Sequence, residues 1–185
     1  MIRTLIAITL FVLAAPAYAQ IYIHLGAAHA SVKTNTVPSI SDGSVSALPS
    51  IGYRFSKHIA AELSYLDTGK VEGSGAGQFR NWQAKGAGYA LIGMFPLSEK
   101  FSLLGKLGAY SLDAEGAVST GGGTPMAGIT SPNVDLGTRP SIGAGVLYTF
   151  SPTIQMRLLV EQISGKDSIE LDSIRLTTFG LVLNF

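Results

Sequence analysis

The stretch "TTFGLVLNF", Thr177–Phe185, closes the chain on an aromatic residue. Chain ends usually fray and are usually polar. This one instead alternates, with Thr177, Phe179, Leu181, Leu183 and Phe185 on one side and Thr178, Gly180, Val182 and Asn184 on the other. A period of two marks a β-strand with one strongly apolar face.

The same rhythm runs through Thr153 to Ile163. There Ile154, Met156, Leu158, Val160 and Gln162 form one face and Thr153, Gln155, Arg157, Leu159 and Glu161 the other. Similar segments near 20–32, 46–55, 58–67, 81–96, 101–113 and 139–150 bring the predicted strands to eight. Connections alternate in kind. Short ones fall at Ser56-Lys57, Leu97 to Lys100 and Ser151-Pro152, and long Gly-, Ser-, Thr- and Pro-rich ones at about 33–45, 68–80, 114–138 and 164–172. This pattern predicts an up-and-down meander with every tight turn at one end. The loop containing "STGGGTPMAG" is of low complexity, and Met126 to Ile129 reads as a small apolar element packing within it.

Alternation does not say which face is outside. The less apolar face carries Gly26, Gly52, Gly86, Gly88, Gly108, Gly143, Gly145 and Gly180, as well as the few charges inside strands. Glycine weakens a strand and gains nothing facing water, but it suits a narrow barrel interior. Phe55, Phe95, Phe101, Phe150 and Phe185 lie on the apolar face, each beside a short turn or the chain end. Aromatics at one height form the girdle that a bilayer interface selects. Tyr65 and Tyr89, higher on that face, fit an opposite belt. The apolar face therefore points outward.

Composition agrees. Charged residues are 14% of the chain, against roughly 25% in an ordinary soluble domain. Met1-Ile2-Arg3, the apolar run Thr4 to Ala15 and Ala17-Tyr18-Ala19 have the form of a cleavable export signal over residues 1–19, leaving 20–185 as one barrel domain. Without Arg3, twelve basic residues balance twelve acidic ones, so no basic surface suggests nucleic acid. With no cysteine there is neither a disulfide scaffold nor a lipidated N-terminal Cys. An exported chain that pairs its backbone between strands and faces apolar side chains outward must be a closed barrel in a membrane. The predicted fold class is all-β, an eight-stranded antiparallel up-and-down transmembrane β-barrel of the Gram-negative outer membrane.

On the inward face Glu62, Lys106 and Arg157 stand five or six residues from a short turn, and His24 joins them at that level. Arg54 lies at the low end and Glu161 at the high end. These six predict a buried polar network that plugs the lumen. It serves either as a satisfied core or as a gate or proton-linked site, and a satisfied core fits better.

"VLYTFSPTIQMRLLVEQ", "FSLLGKLGAY", "IAAELSYLDTG" and "FGLVLNF" together resemble the transmembrane domain of OmpA-like outer-membrane proteins over essentially all of residues 20–185. The resemblance implies a luminal acid–base network on Glu62 and Arg157, with Lys106 at another basic position. His24 stands where the family has Lys and Leu147 where it has a second Glu, which departs from a family-type salt-bridge switch. It also implies that Phe179, Gly180, Leu183 and Phe185 form the C-terminal signal read by the barrel-assembly machinery. The peptidoglycan-binding domain of many relatives is not expected in this chain.

For function, a structural barrel with surface loops is expected. The alternatives are an adhesin or environment-interaction barrel acting through its loops, a narrow small-solute channel and, last, a lipid A-modifying enzyme. His29-Ala30-Ser31 resembles the His-x-Ser of lipid A deacylases, but it sits in the first strand with no matching acid. His58 has no second ligand at metal spacing. No catalytic, cofactor or metal residue is expected. The expected partners are outer-membrane lipid and lipopolysaccharide, the assembly machinery and an unknown loop ligand, around a monomer.

Overall fold

A computed structural model describes residues 20–34, 43–69, 71–75, 78–120, 134–166 and 171–185. The export signal and Met126–Ile129 lie outside them. The described residues form nine strands: β1 (Gln20–Thr34), β2 (Gly43–Arg54), β3 (Ile59–Asp67), β4 (Val71–Gly75), β5 (Gln78–Pro96), β6 (Phe101–Thr120), β7 (Val134–Thr149), β8 (Ile154–Lys166) and β9 (Leu171–Asn184). Every neighbour is antiparallel, and pairing of β1 with β9 and of β3 with β5 closes the sheet on itself. β3 and β4 both pair with β5, as lower and upper parts of one stave. The result is the closed eight-stave up-and-down barrel that the alternation predicts. Closure pairs both edges, so no open edge has to face lipid.

The three tight turns share one construction. A backbone N–H bonds the carbonyl four residues on: Phe55 to Ile59 at 3.0 Å, Leu97 to Phe101 at 2.9 Å and Phe150 to Ile154 at 3.1 Å. The residue after each donor is Ser56, Ser98 or Ser151, whose hydroxyl oxygen accepts from the N–H of Ile59, Phe101 or Ile154. Serine is favoured there because its side chain substitutes for a missing backbone partner.

At the far end the strands run further than the sequence pattern predicts. Residues 71–75 and 78–80, expected in a long loop, are paired, and β5 stays in register with β6 up to Gln78↔Thr120. These segments lack an apolar face, so their pairing leaves no alternation to read.

Two Asp-x-Gly bulges sit in this upper region. Asp67 Oδ1 accepts the Gly69 N–H at 2.9 Å, and Asp135 Oδ1 accepts the Gly137 N–H at 2.6 Å. Gly69 and Gly137 have φ of 66° and 68°, which glycine adopts without penalty. One register step changes at each, between Asp67↔Lys85 and Val71↔Trp82 and between Leu112 and Asp113. The middle residues, Thr68 and Leu136, are buried.

Candidate functional site

Inward positions along the strands converge on the barrel axis and form three layers. The lowest, towards the tight turns, contains Tyr22, Ala60, Ile92, Met94, Leu104, Leu147 and Val182. The uppermost contains Ala28, Ala30, Leu48, Leu66, Leu112, Leu136, Ile163, Ile174 and Leu176, with the ring of Tyr110 at its base. None of these side chains is more than 8% exposed. The lumen is thus not polar throughout, as the charged positions alone suggest: apolar packing closes it above and below an ionic layer.

In the ionic layer Arg157 donates from Nη1 to Glu62 Oε2 at 2.6 Å and from Nη2 to His24 Nδ1 at 2.5 Å. Lys106 Nζ lies 3.6 Å from Glu62 Oε1 and donates to Glu161 Oε2 at 2.9 Å. The two cations and two anions balance. Because His24 Nδ1 faces a guanidinium donor, its lone pair is engaged and the ring is neutral. Ser50 Oγ lies 3.1 Å from the same nitrogen. Burying these charges without partners would be prohibitive; alternating them offsets part of the hydration energy that burial removes.

Of the six predicted luminal residues, the structure thus brings together His24, Glu62, Lys106, Arg157 and also Glu161, which the sequence places higher. Arg54 stands apart: it donates to Gln155 Oε1 at 3.1 Å and lies 5.7 Å from the Tyr22 ring centroid. Two tyrosines complete the layer. Tyr22 donates to Glu62 Oε2 at 3.1 Å, and Tyr110 donates to Glu161 Oε2 at 3.1 Å while accepting from Lys106. Both were detectable in the sequence, since each shares the inward phase of His24 or Lys106.

The inward glycines explain how partners two strands apart can meet. Tyr22 and Glu62 are both register partners of Gly52, Lys106 and Glu161 of Gly143, and Ser64 and Tyr110 of Gly88. At Gly52 and Gly88 a tyrosine ring lies over the glycine on the way to its partner. A Cβ on Gly52 would overlap the Tyr22 ring, and one on Gly88 the Tyr110 ring.

Outside, Phe55, Phe95, Phe101, Phe150 and Phe185 are all exposed at the tight-turn end. Tyr53 stacks edge-on to Phe55 at 5.0 Å, and Tyr148 bridges Phe101 and Phe150 at 4.8 and 4.7 Å. Tyr65 and Tyr89 face outward higher up. Phe179 in β9 and Phe185 just beyond it are exposed on the outside, and Gly180 lies buried against β1. His29 and Ser31 flank inward-facing Ala30 on the outer wall, and the His58 ring nitrogen lies 3.2 Å from the Met94 carbonyl oxygen. Among the described residues no three His, Asp or Glu side chains gather as metal ligands.

A closed antiparallel barrel with a lipid-compatible apolar exterior and an ion-paired interior defines the class of outer-membrane β-barrels. The chain belongs to the family of the OmpA-like transmembrane domain, whose family model matches residues 16–167. It resides in the cell outer membrane. Among solved structures it is similar to Ail, the attachment invasion locus protein of Yersinia pestis, in complex with the heparin analogue sucrose octasulfate, at 15% identity, covering 91% of this chain and 99% of Ail with a TM-score of 0.63. Neisserial surface protein A is 18% identical over 89% of this chain and 97% of its own, with a TM-score of 0.57. A de novo designed transmembrane β-barrel reaches 0.53 at 11% identity over 92% of this chain and 99% of its own. No curated protein matches the chain in sequence.

Proposed function

We propose that this chain is a structural, non-catalytic barrel of the outer membrane whose lumen is permanently closed. The observation that carries this reading is the ionic layer sealed between two apolar layers, with Glu62, Glu161, Lys106 and Arg157 each at most 2% exposed. A conducting path would have to break both apolar layers and separate paired charges of low solvation, which is costly at each step. Planar-bilayer recording of the purified barrel tests the reading. No steady open level is expected, and a stable pore in the unmutated protein would overturn it.

A second role, recognition at the cell surface, has one specific support. β5 and β6 have 19 and 20 residues, whereas roughly 9 to 11 suffice to cross a bilayer, so their far ends, opposite the tight turn that joins them, project well beyond the membrane. The strand-to-strand connections other than the tight turns leave from that same far side. Binding of host cells or sulfated saccharides should be lost on trimming these far ends to the membrane belt if the projection serves recognition. Unchanged binding would assign it a purely structural part. The barrel acts as a monomer in both readings, with Phe179 to Phe185 as its address for the assembly machinery.

A further inference from the structure

Across neighbouring strands on one side, the outer wall is hollowed. A recess of about 800 Å³ lies across β2, β3, β5 and β6, with Ala61 and Ala109 among walls such as Tyr53, Leu63 and Tyr89. A second, of about 440 Å³, adjoins it towards the tight turns on the outward-facing, cross-strand pair Gly93 and Gly105. The two recesses adjoin along the outward-facing cross-strand pair Leu91 and Leu107, which borders both, and together they make up the furrow. These glycines differ from the inward ones. A Cβ on Gly105 would meet nothing within 4 Å, and one on Gly93 only the Gly105 carbonyl oxygen at 3.9 Å. Local packing does not require glycine there, although glycine weakens a strand and often marks a close approach by another molecule.

The furrow is continuous with the lipid-facing wall, and its lower end opens at the aromatic girdle. Below it lie the two charged tight turns. Lys57 and His58 precede β3, and Glu99 and Lys100 precede β6; all four are exposed. The backbone joins them to the furrow, since the Met94 N–H bonds the His58 carbonyl oxygen at 2.7 Å beside Gly93. The third tight turn, Ser151-Pro152-Thr153, carries no charge.

We propose that this furrow seats one acyl chain of a glycerophospholipid from the periplasmic leaflet, with its phosphate at Lys57 and Lys100. Glu99 supplies a partner for a head-group amine. A flexible hydrocarbon chain fits a narrow groove that lies wholly within the apolar belt. The combination of an apolar furrow with cations at its interfacial mouth matches a phospholipid rather than hydrocarbon alone.

The test is native mass spectrometry of the full-length barrel extracted from membranes into mild detergent, counting retained phospholipid. Gly105→Leu fills the furrow where space is free, and Lys57→Ala/Lys100→Ala removes the phosphate partners. One tightly retained phospholipid per barrel is expected in the parent. Each surface Lys near a membrane contributes about fivefold, so the double lysine variant should lower retention about 25-fold, and Gly105→Leu should lower it at least about fivefold. Heat-dependent gel mobility verifies that both variants fold; if Gly105→Leu fails to fold, the lysine variant decides alone. Retention equal to the parent in a folded variant would overturn the proposal. So would efficient disulfide-linked barrel pairs formed by Gly105→Cys in membranes, which would put a second copy in the furrow.

Discussion

Lys106 on β6 and Glu161 on β8 meet at 2.9 Å across Gly143, the single β7 residue that is register partner to both. A Cβ there would meet the Val160 carbonyl oxygen at 3.1 Å and Glu161 Cβ at 3.3 Å. Replacing Lys106 with Met strands Glu161 and removes one of the cations facing Glu62. Loss of one partner of such a buried pair costs about 3 to 5 kcal/mol. The double variant Lys106→Met/Glu161→Met restores neutrality, with Arg157 still paired to Glu62, and should be less damaging than Lys106→Met alone. Urea unfolding of the refolded barrel in detergent, followed by tryptophan fluorescence or gel mobility, measures both. A double variant as unstable as the sum of the singles would show that the charges do not act as a coupled set.

Glycine substitutions should divide by face. Gly52→Ala places a methyl group in the Tyr22 ring and displaces it from Glu62, with an overpacking cost of about 1 to 3 kcal/mol. Gly105→Ala meets open space and should be neutral or slightly stabilising. Comparison of unfolding midpoints checks this contrast, and equal losses at the two positions would count against the inward assignment of Gly52.

Leu136 reaches the upper apolar layer from the middle of an Asp-x-Gly bulge. Truncation to Ala should cost about 2 to 5 kcal/mol, as for other buried leucines. Gly137→Ala, where a Cβ meets nothing within 4 Å, should cost about 1 to 2 kcal/mol through its left-handed backbone alone, and Gly69→Ala should cost more, because a Cβ there also meets Ser44 Oγ at 3.1 Å. Stability measurements on the three variants separate packing from backbone strain.

Phe185 bonds the Ile21 carbonyl oxygen through its N–H at 3.0 Å, at the seam where β9 meets β1. Its side chain is exposed, so its removal sacrifices little packing. On the proposed reading of Phe179 to Phe185 as an assembly signal, deleting Phe185 should nevertheless lower the amount of heat-modifiable barrel in the outer membrane. Normal membrane levels of the deletion would remove Phe185 from that role.

The sequence is enough for the eight alternating segments, their up-and-down order and the face that meets lipid, because each depends on near neighbours in the chain. Alternation in Thr177–Phe185 and Thr153–Ile163, the serine-capped turns and the aromatic positions beside them are all local. It also placed His24, Glu62, Lys106 and Arg157 inside at related heights, since strand rise is constant. Only the tertiary structure decided which of them touch. Contacts across a barrel depend on the stagger between neighbouring strands, and no local pattern records that stagger. Glu161 therefore joins Lys106 rather than standing alone, Tyr22 and Tyr110 become part of the ionic layer, and packed apolar side chains seal it on both sides. The paired strands above the membrane were equally hidden, because a strand with two polar faces pairs its backbone without leaving a periodic trace.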